Sequence, residues 1–182
     1  MAVPWRRQPW LRRAGRAAAL LSTLGGAVWL TGLPLLFPSL GPTAYLFAVK
    51  PDAAESAPRR VVGGHLLGVL AGLAAYHLVA GGVALDGLAA PGSMGALRLA
   101  ASGIVAVALT TAAMTATDTG HAPACATTLI VSLGILTTPQ AALVIVVAVV
   151  VLVGQHHLLK RVGLTPTSPA EHDADSISRL SQ

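Results

Sequence analysis

DTGHAPACATTLIVSL, Asp118 to Leu133, puts a carboxylate, an imidazole and a proline between two long apolar runs, and then adds small residues and hydroxyls. A proline here removes a backbone donor and breaks helical continuity. A helix that starts again after such a break leaves its first N–H groups unpaired. Inside a bilayer that is tolerated only where protein or a wet cavity surrounds the break. How this stretch is read therefore decides whether the chain is a set of plain hydrophobic spans or a bundle with interrupted helices.

The rest of the sequence supplies the setting. The chain has 182 residues, 54% hydrophobic and 10% charged. Ala17–Phe37, Val61–Ala80, Leu97–Thr117 and Gln140–Leu159 each approach the ~20 residues that cross a hydrocarbon core of ~30 Å. Arg98 is the only charged residue in these runs, and it stands at a mouth. This is the profile of an integral membrane protein of all-α class, a polytopic helix bundle in one compact domain.

The formal charge of +5 does not point to nucleic acid, because five of the twelve basic residues, Arg6, Arg7, Arg12, Arg13 and Arg16, precede the first run among Trp5 and Trp10. Cationic flanks with interfacial tryptophan set membrane orientation. A cleaved signal peptide is disfavoured, since the first run exceeds the usual ~7–15 residues and lacks an A-x-A exit. Residues 1–16 are read as a basic cytoplasmic segment, 17–161 as the transmembrane domain, and 162–182, polar, acidic and rich in Pro and Ser, as a disordered tail. Cys125 is the single cysteine and can form no internal disulfide. No metal-ligand spacing appears, so neither metal nor cofactor is expected. Paired carboxylates are also missing, and Cys125 stands four residues after His121 but with Pro123 between them to spoil regular helical spacing, so the chain is not expected to be an enzyme.

A second broken stretch, LLFPSLGPTAYLFAV (Leu35–Val49), matches HAPACATTLIVSLGIL (His121–Leu136) in place and in order of features: a Pro/Gly break, small residues with Thr, then a short aliphatic run. The chain reads as two units of long run, broken short run, long run. The broken segments either cross, which gives six passes, or return as re-entrant loops, which gives four spans and two loops. Basic residues at the N-terminus, at Lys50, Arg59 and Arg60, and at Lys160 and Arg161, against Asp86 alone in Gly81–Pro91, favour crossing with both termini in the cytoplasm. Three passes per unit would make the repeat an inverted one, as in many secondary transporters. Gly64, Gly68 and Gly72 form a strip for close helix contact, within the bundle or between copies, so a homo-oligomer is one expectation.

An anion could rest between the two break points. The expected contacts are Ser39, Thr43 and the nearby amides on one side, and His121, Ala124, Cys125, Thr127 and Thr128 on the other, with His65 bordering the glycine strip and Asp118 as a coupling carboxylate. His156 and His157, beside Lys160 and Arg161, read as a basic cytoplasmic anchor.

LFPSLGPTAYLFAVKPDAAESAPRRVVGGHLLGVLAG followed by TGHAPACATTL resembles the HPP family of integral membrane proteins. Gly63, Gly64 and His65 match the family's GGH, and His121 and Pro123 match the outer positions of its His-Pro-Pro motif, while Ala122 replaces the first proline. The resemblance implies a transporter or channel for a small inorganic anion, with nitrite the best single substrate. Its partners would be membrane lipid and that anion, not nucleic acid. Its expected location is a bacterial-type inner or plasma membrane. The competing expectation is a membrane structural or assembly protein without transport activity.

Overall fold

The computed structural model describes residues 9–83 and 90–162. Asp86, the N-terminal arginines Arg6 and Arg7, and the polar tail lie outside the described residues. The described residues fold as helices: α1 (Pro9–Thr31), α2 (Leu40–Val49), α3 (Pro58–Ala75, continued by a π-turn at Tyr76–Ala80), α4 (Met94–Ala116), α5 (Ala124–Ser132) and α6 (Pro139–Arg161). Three of them, Pro58–Ala80, Met94–Ala116 and Pro139–Arg161, are long and apolar enough to cross a membrane.

The first expected run is cut short at its far end, while its helix begins ahead of the expected start, at Pro9. Helix α1 stops at Thr31, where Gly32 takes φ 69° and Pro34 follows, so Leu33 to Pro38 travels without helical hydrogen bonding. The two broken helices are shorter too, roughly 15 Å each at 1.5 Å per residue. Helix α5 ends in a Schellman motif: Gly134 sits at φ 86°, its N–H donates to the Val131 carbonyl, and Ile135 N–H donates to that of Ile130. Helix α4 ends the same way with Asp118 at φ 52° in the glycine position and Thr119 N–H donating to the Met114 carbonyl.

Contacts among the helices fix the path of the chain. Helix α3 starts beside the end of α4, where Arg59 donates to the Thr117 carbonyl at 2.9 Å and Arg60 pairs with Asp118 at 2.6 Å. Helix α5 then leaves from that same end and runs alongside α3 in the same direction, since Gly64 faces His121, Gly68 faces Ala124 and Thr128, and Gly72 faces Val131. Helix α6 returns, with Lys160 paired to Asp52 and Gln155 donating to the Ala19 carbonyl of α1. The chain thus passes six times between the two ends of the bundle, and the second three passes run opposite to the first three. The ends of α1 and α6 share the basic side.

A core stripe of Leu20, Leu24, Leu40, Phe47, Val61, Val69, Ile145, Val149 and Leu152 fills the centre. On the outside, Trp29, Leu30, Ile104, Leu143 and Val150 are at least half exposed, an apolar belt suited to lipid.

The glycine strip is used within the chain, so it gives no reason to expect self-association. A Cβ on Gly68 would lie 2.8 Å from the Ala124 carbonyl oxygen, and one on Gly72 would lie 2.8 Å from Val131 Cβ. It also makes the two units unequal: α5 beds closely on α3, whereas α2 touches the valine-rich α6 only lightly. Gly68→Ala is expected to cost about 1–3 kcal/mol through overpacking against backbone that cannot yield. Gly154→Ala, where a Cβ meets nothing within 4 Å, is expected to be neutral or stabilising. Thermal unfolding of both variants in detergent measures the difference.

Candidate functional site

The two broken helices point their first turns at each other. Ser39, just before α2, and Thr127, in the first turn of α5, meet with hydroxyl oxygens 2.6 Å apart. His65 projects from α3 between them. It stands about two turns along α3 from Pro58, roughly 10 Å, so the site lies in the half of the bundle nearer the basic end and not at its centre.

Six polar groups form one continuous chain. Thr127 Oγ1 lies 2.7 Å from His65 Nδ1, and Thr43 Oγ1 lies 3.2 Å from His65 Nε2 and 3.1 Å from His121 Nε2. His121 Nδ1 lies 2.8 Å from the backbone carbonyl of Glu55. The two imidazole centroids are 5.2 Å apart. Ser39, Thr43 and Thr127 are fully buried, and His65 and His121 are each 1% exposed.

That carbonyl fixes the protons of the neutral chain. A carbonyl can only accept, so His121 carries its proton on Nδ1 and presents a lone pair at Nε2. The single Thr43 proton also has the Ser39 carbonyl within reach at 3.2 Å, but His121 Nε2 at 3.1 Å has no other donor and takes it, which leaves the Thr43 oxygen to accept from His65 Nε2–H. His65 Nδ1 is then a lone pair that accepts from Thr127, and the Thr127 oxygen accepts from Ser39. All hydrogen bonds therefore run one way, from Ser39 to Glu55. Nitrogen-15 NMR of the protein in bilayers is expected to show one Nδ1–H and one Nε2–H tautomer for His121 and His65 respectively. Two Nε2–H rings would contradict this assignment.

The remaining sequence-predicted residues fall at different distances from this chain. Thr128 is buried but faces the other way, 2.8 Å from Thr110 and donating to the Ala124 carbonyl. The amides of Ala124, Cys125 and Ala126, expected as free donors, are taken by the carbonyls of His121, Ala122 and Pro123. The tight turn made by Pro123 brings those carbonyls within reach, so side chains and not peptide donors line the junction. Cys125 is half-buried on another face of α5. Asp118 is an exposed helix terminator paired with Arg60, outside the buried chain.

Thr110, Ser102 and the Glu55 carbonyl were not foreseen. The first two were legible: Ser102, Ala106 and Thr110 repeat every four residues on the buried face of α4, and Ser102 donates to the Ser132 carbonyl at 2.8 Å. Nothing in the sequence marks Glu55, since its contribution is a main-chain oxygen. His156 corrects the reading of a solvated anchor. It is 1% exposed and stacks on Phe47 with ring centroids 4.0 Å apart, because it continues the buried stripe of Ile145, Val149 and Leu152 on α6.

Taken together, the fold and the site define a polytopic α-helical membrane protein whose two interrupted helices meet around a buried chain of hydroxyls and imidazoles. The family model described as HPP, transmembrane region, matches residues 3–165, and the chain belongs to that family. No curated protein and no solved structure matches it.

Proposed function

We propose that this chain is a permease for a small inorganic anion, with nitrite the first substrate to test, set in a bacterial-type plasma membrane with its basic side in the cytoplasm. The observation that supports the reading is the unbroken hydrogen-bond chain from Ser39 to the Glu55 carbonyl, held between two interrupted helices. Hydroxyls and imidazoles can turn toward a small anion without the desolvation penalty of a permanently buried lysine or arginine. Intramembrane ionisable groups are functional candidates by default.

The chain also suits proton coupling. If a proton enters at Ser39 and is relayed to His121 Nε2, Thr127 gives its proton to His65 Nδ1, His65 releases its Nε2 proton to Thr43, and Thr43 gives its own to His121. One added proton thereby reverses every hydrogen bond from Ser39 to His121 and leaves only the one to the Glu55 carbonyl unchanged, and the anion supplies the matching negative charge. Coupling falls to the histidine pair in this scheme, and Asp118 has only a terminating role. Enzymatic chemistry has less support, because both nitrogens of His121 are engaged and neither contacts the Cys125 thiol.

Proteoliposomes containing the purified chain are expected to take up nitrite faster than empty vesicles, with nitrate and formate as comparisons and an internal pH dye to follow protons. A second reading, a structural or assembly protein, is favoured by one observation: the polar groups satisfy one another and are sealed from solvent. Uptake no faster than in empty vesicles for all three anions would select that reading. Cysteine scanning from Ser39 to Leu46 gives an independent check, since water-reachable positions at this depth are expected only if a pathway opens.

A further inference from the structure

The basic end of the bundle holds a second group of buried polar side chains that the proposed permeation chain does not use. Arg16 is 8% exposed, and its Nε, Nη1 and Nη2 are all buried without a hydrogen-bond partner. His156 Nδ1 and His157 Nε2 are also buried without a partner, and the two rings lie 5.6 Å apart. Arg16 is near enough to His156 to act on it electrostatically, as are His157 and Lys160.

A guanidinium is always charged and carries five donors in a planar fork. Removing such a charge from water without an acceptor is strongly unfavourable, and a buried cation left without its partner is strongly destabilising. The carboxylate that acts on Arg16 electrostatically is Asp52, and Asp52 is taken by Lys160. No other acceptor among the described residues reaches the fork. Position explains why the side chain is inside at all: Arg16, Leu20 and Leu24 form one stripe on α1, directed at the core. Phe47 covers one face of the His156 ring, so that ring is held in place.

We propose that Arg16, His156 and His157 form a binding site for an oxyanion of phosphate type, at the basic ends of α1 and α6. Two oxygens of such an anion match the guanidinium fork. The other nitrogen of His156 bonds to the Pro51 carbonyl and therefore carries a proton. Nδ1 then meets the ligand either as imidazolium or through a proton that the ligand carries, which hydrogen phosphate can supply. The same chemistry is offered by free inorganic phosphate or by a lipid headgroup phosphate. This site does not depend on the permease reading.

The test is thermal unfolding of the full chain, purified in neutral detergent and stripped of lipid. Inorganic phosphate is titrated against chloride at equal ionic strength, and a parallel arm compares nanodiscs of phosphatidylglycerol with zwitterionic ones. A rise of several degrees is expected in at least one arm, with phosphate alone indicating the free ion and phosphatidylglycerol alone indicating the headgroup. Arg16→Gln should abolish the rise. Should that variant fail to fold, His156→Gln is expected to weaken the ligand dependence at least tenfold. No rise in either arm, or a rise that persists undiminished in these variants, overturns the site.

Discussion

Thr43→Val is expected to destabilise the folded protein by about 2–3 kcal/mol while changing its shape almost not at all. Valine replaces Oγ1 with a methyl group, so the loss is confined to hydrogen bonding. The Thr43 hydroxyl faces both imidazoles, at 3.2 and 3.1 Å. Its removal leaves His65 Nε2–H without an acceptor and His121 Nε2 without a donor, each about 1–3 kcal/mol when buried. Water cannot enter a sealed site to compensate. The lower part of the summed range is the better expectation, because unfolded segments in a membrane find other polar partners, and measured interhelical bonds there average ~0.6 kcal/mol. Thr43→Ser should recover most of the loss, since it restores the oxygen. Equilibrium unfolding in mixed detergent micelles measures all three proteins. A valine variant within about 0.5 kcal/mol of the parent, the range of an ordinary surface substitution, would show that the hydroxyl is not the link between the two rings.

The largest functional effect is expected at His121. His121→Ala should reduce nitrite flux at least tenfold, a change of about 1.4 kcal/mol or more in the transport barrier. It removes the only ring that joins Thr43 to the Glu55 carbonyl, so the chain from Ser39 ends at Thr43 with nowhere to pass a proton. The comparison must use protein that remains monodisperse after reconstitution, with Gly154→Ala as the matched control, because that position lies against open space. Normal flux in well-folded His121→Ala would take His121 out of the pathway. Absent flux in the parent as well would favour the structural reading instead.

Much of the architecture was legible before any coordinates. Hydropathy located the long passes, and the proline and glycine breaks at Pro38–Pro42 and Pro123 located both interrupted helices. Charge distribution favoured crossing over re-entry, and the pairing of Lys160 with Asp52, which sets the end of α6 beside the start of α3, agrees with that path. Residue type alone also nominated Ser39, Thr43, His65, His121 and Thr127, because polar groups in oily segments have few reasons to be there. The sequence misled where a local rule met a tertiary one. Peptide donors at the start of α5 looked free, but the turn at Pro123 closes on them. His156 looked like a solvated neighbour of Lys160, but helical phase turns it onto Phe47. Arg16 looked purely topogenic, but the same periodicity that buries Leu20 and Leu24 draws it inward.

Composition and periodicity thus determined the class of protein, the places of the long apolar passes and the residues with chemical potential, since these follow from how a chain partitions between water and lipid and from the pitch of a helix. The order of the hydrogen-bond chain was decided only by the tertiary structure. It depends on which hydroxyl meets which ring nitrogen across four segments, and on a single main-chain oxygen at Glu55 that no side chain announces. The glycines at 64, 68 and 72 belong to both levels: their spacing is written in the sequence, but only packing shows that α5 fills the groove they leave and carries Thr127 to His65.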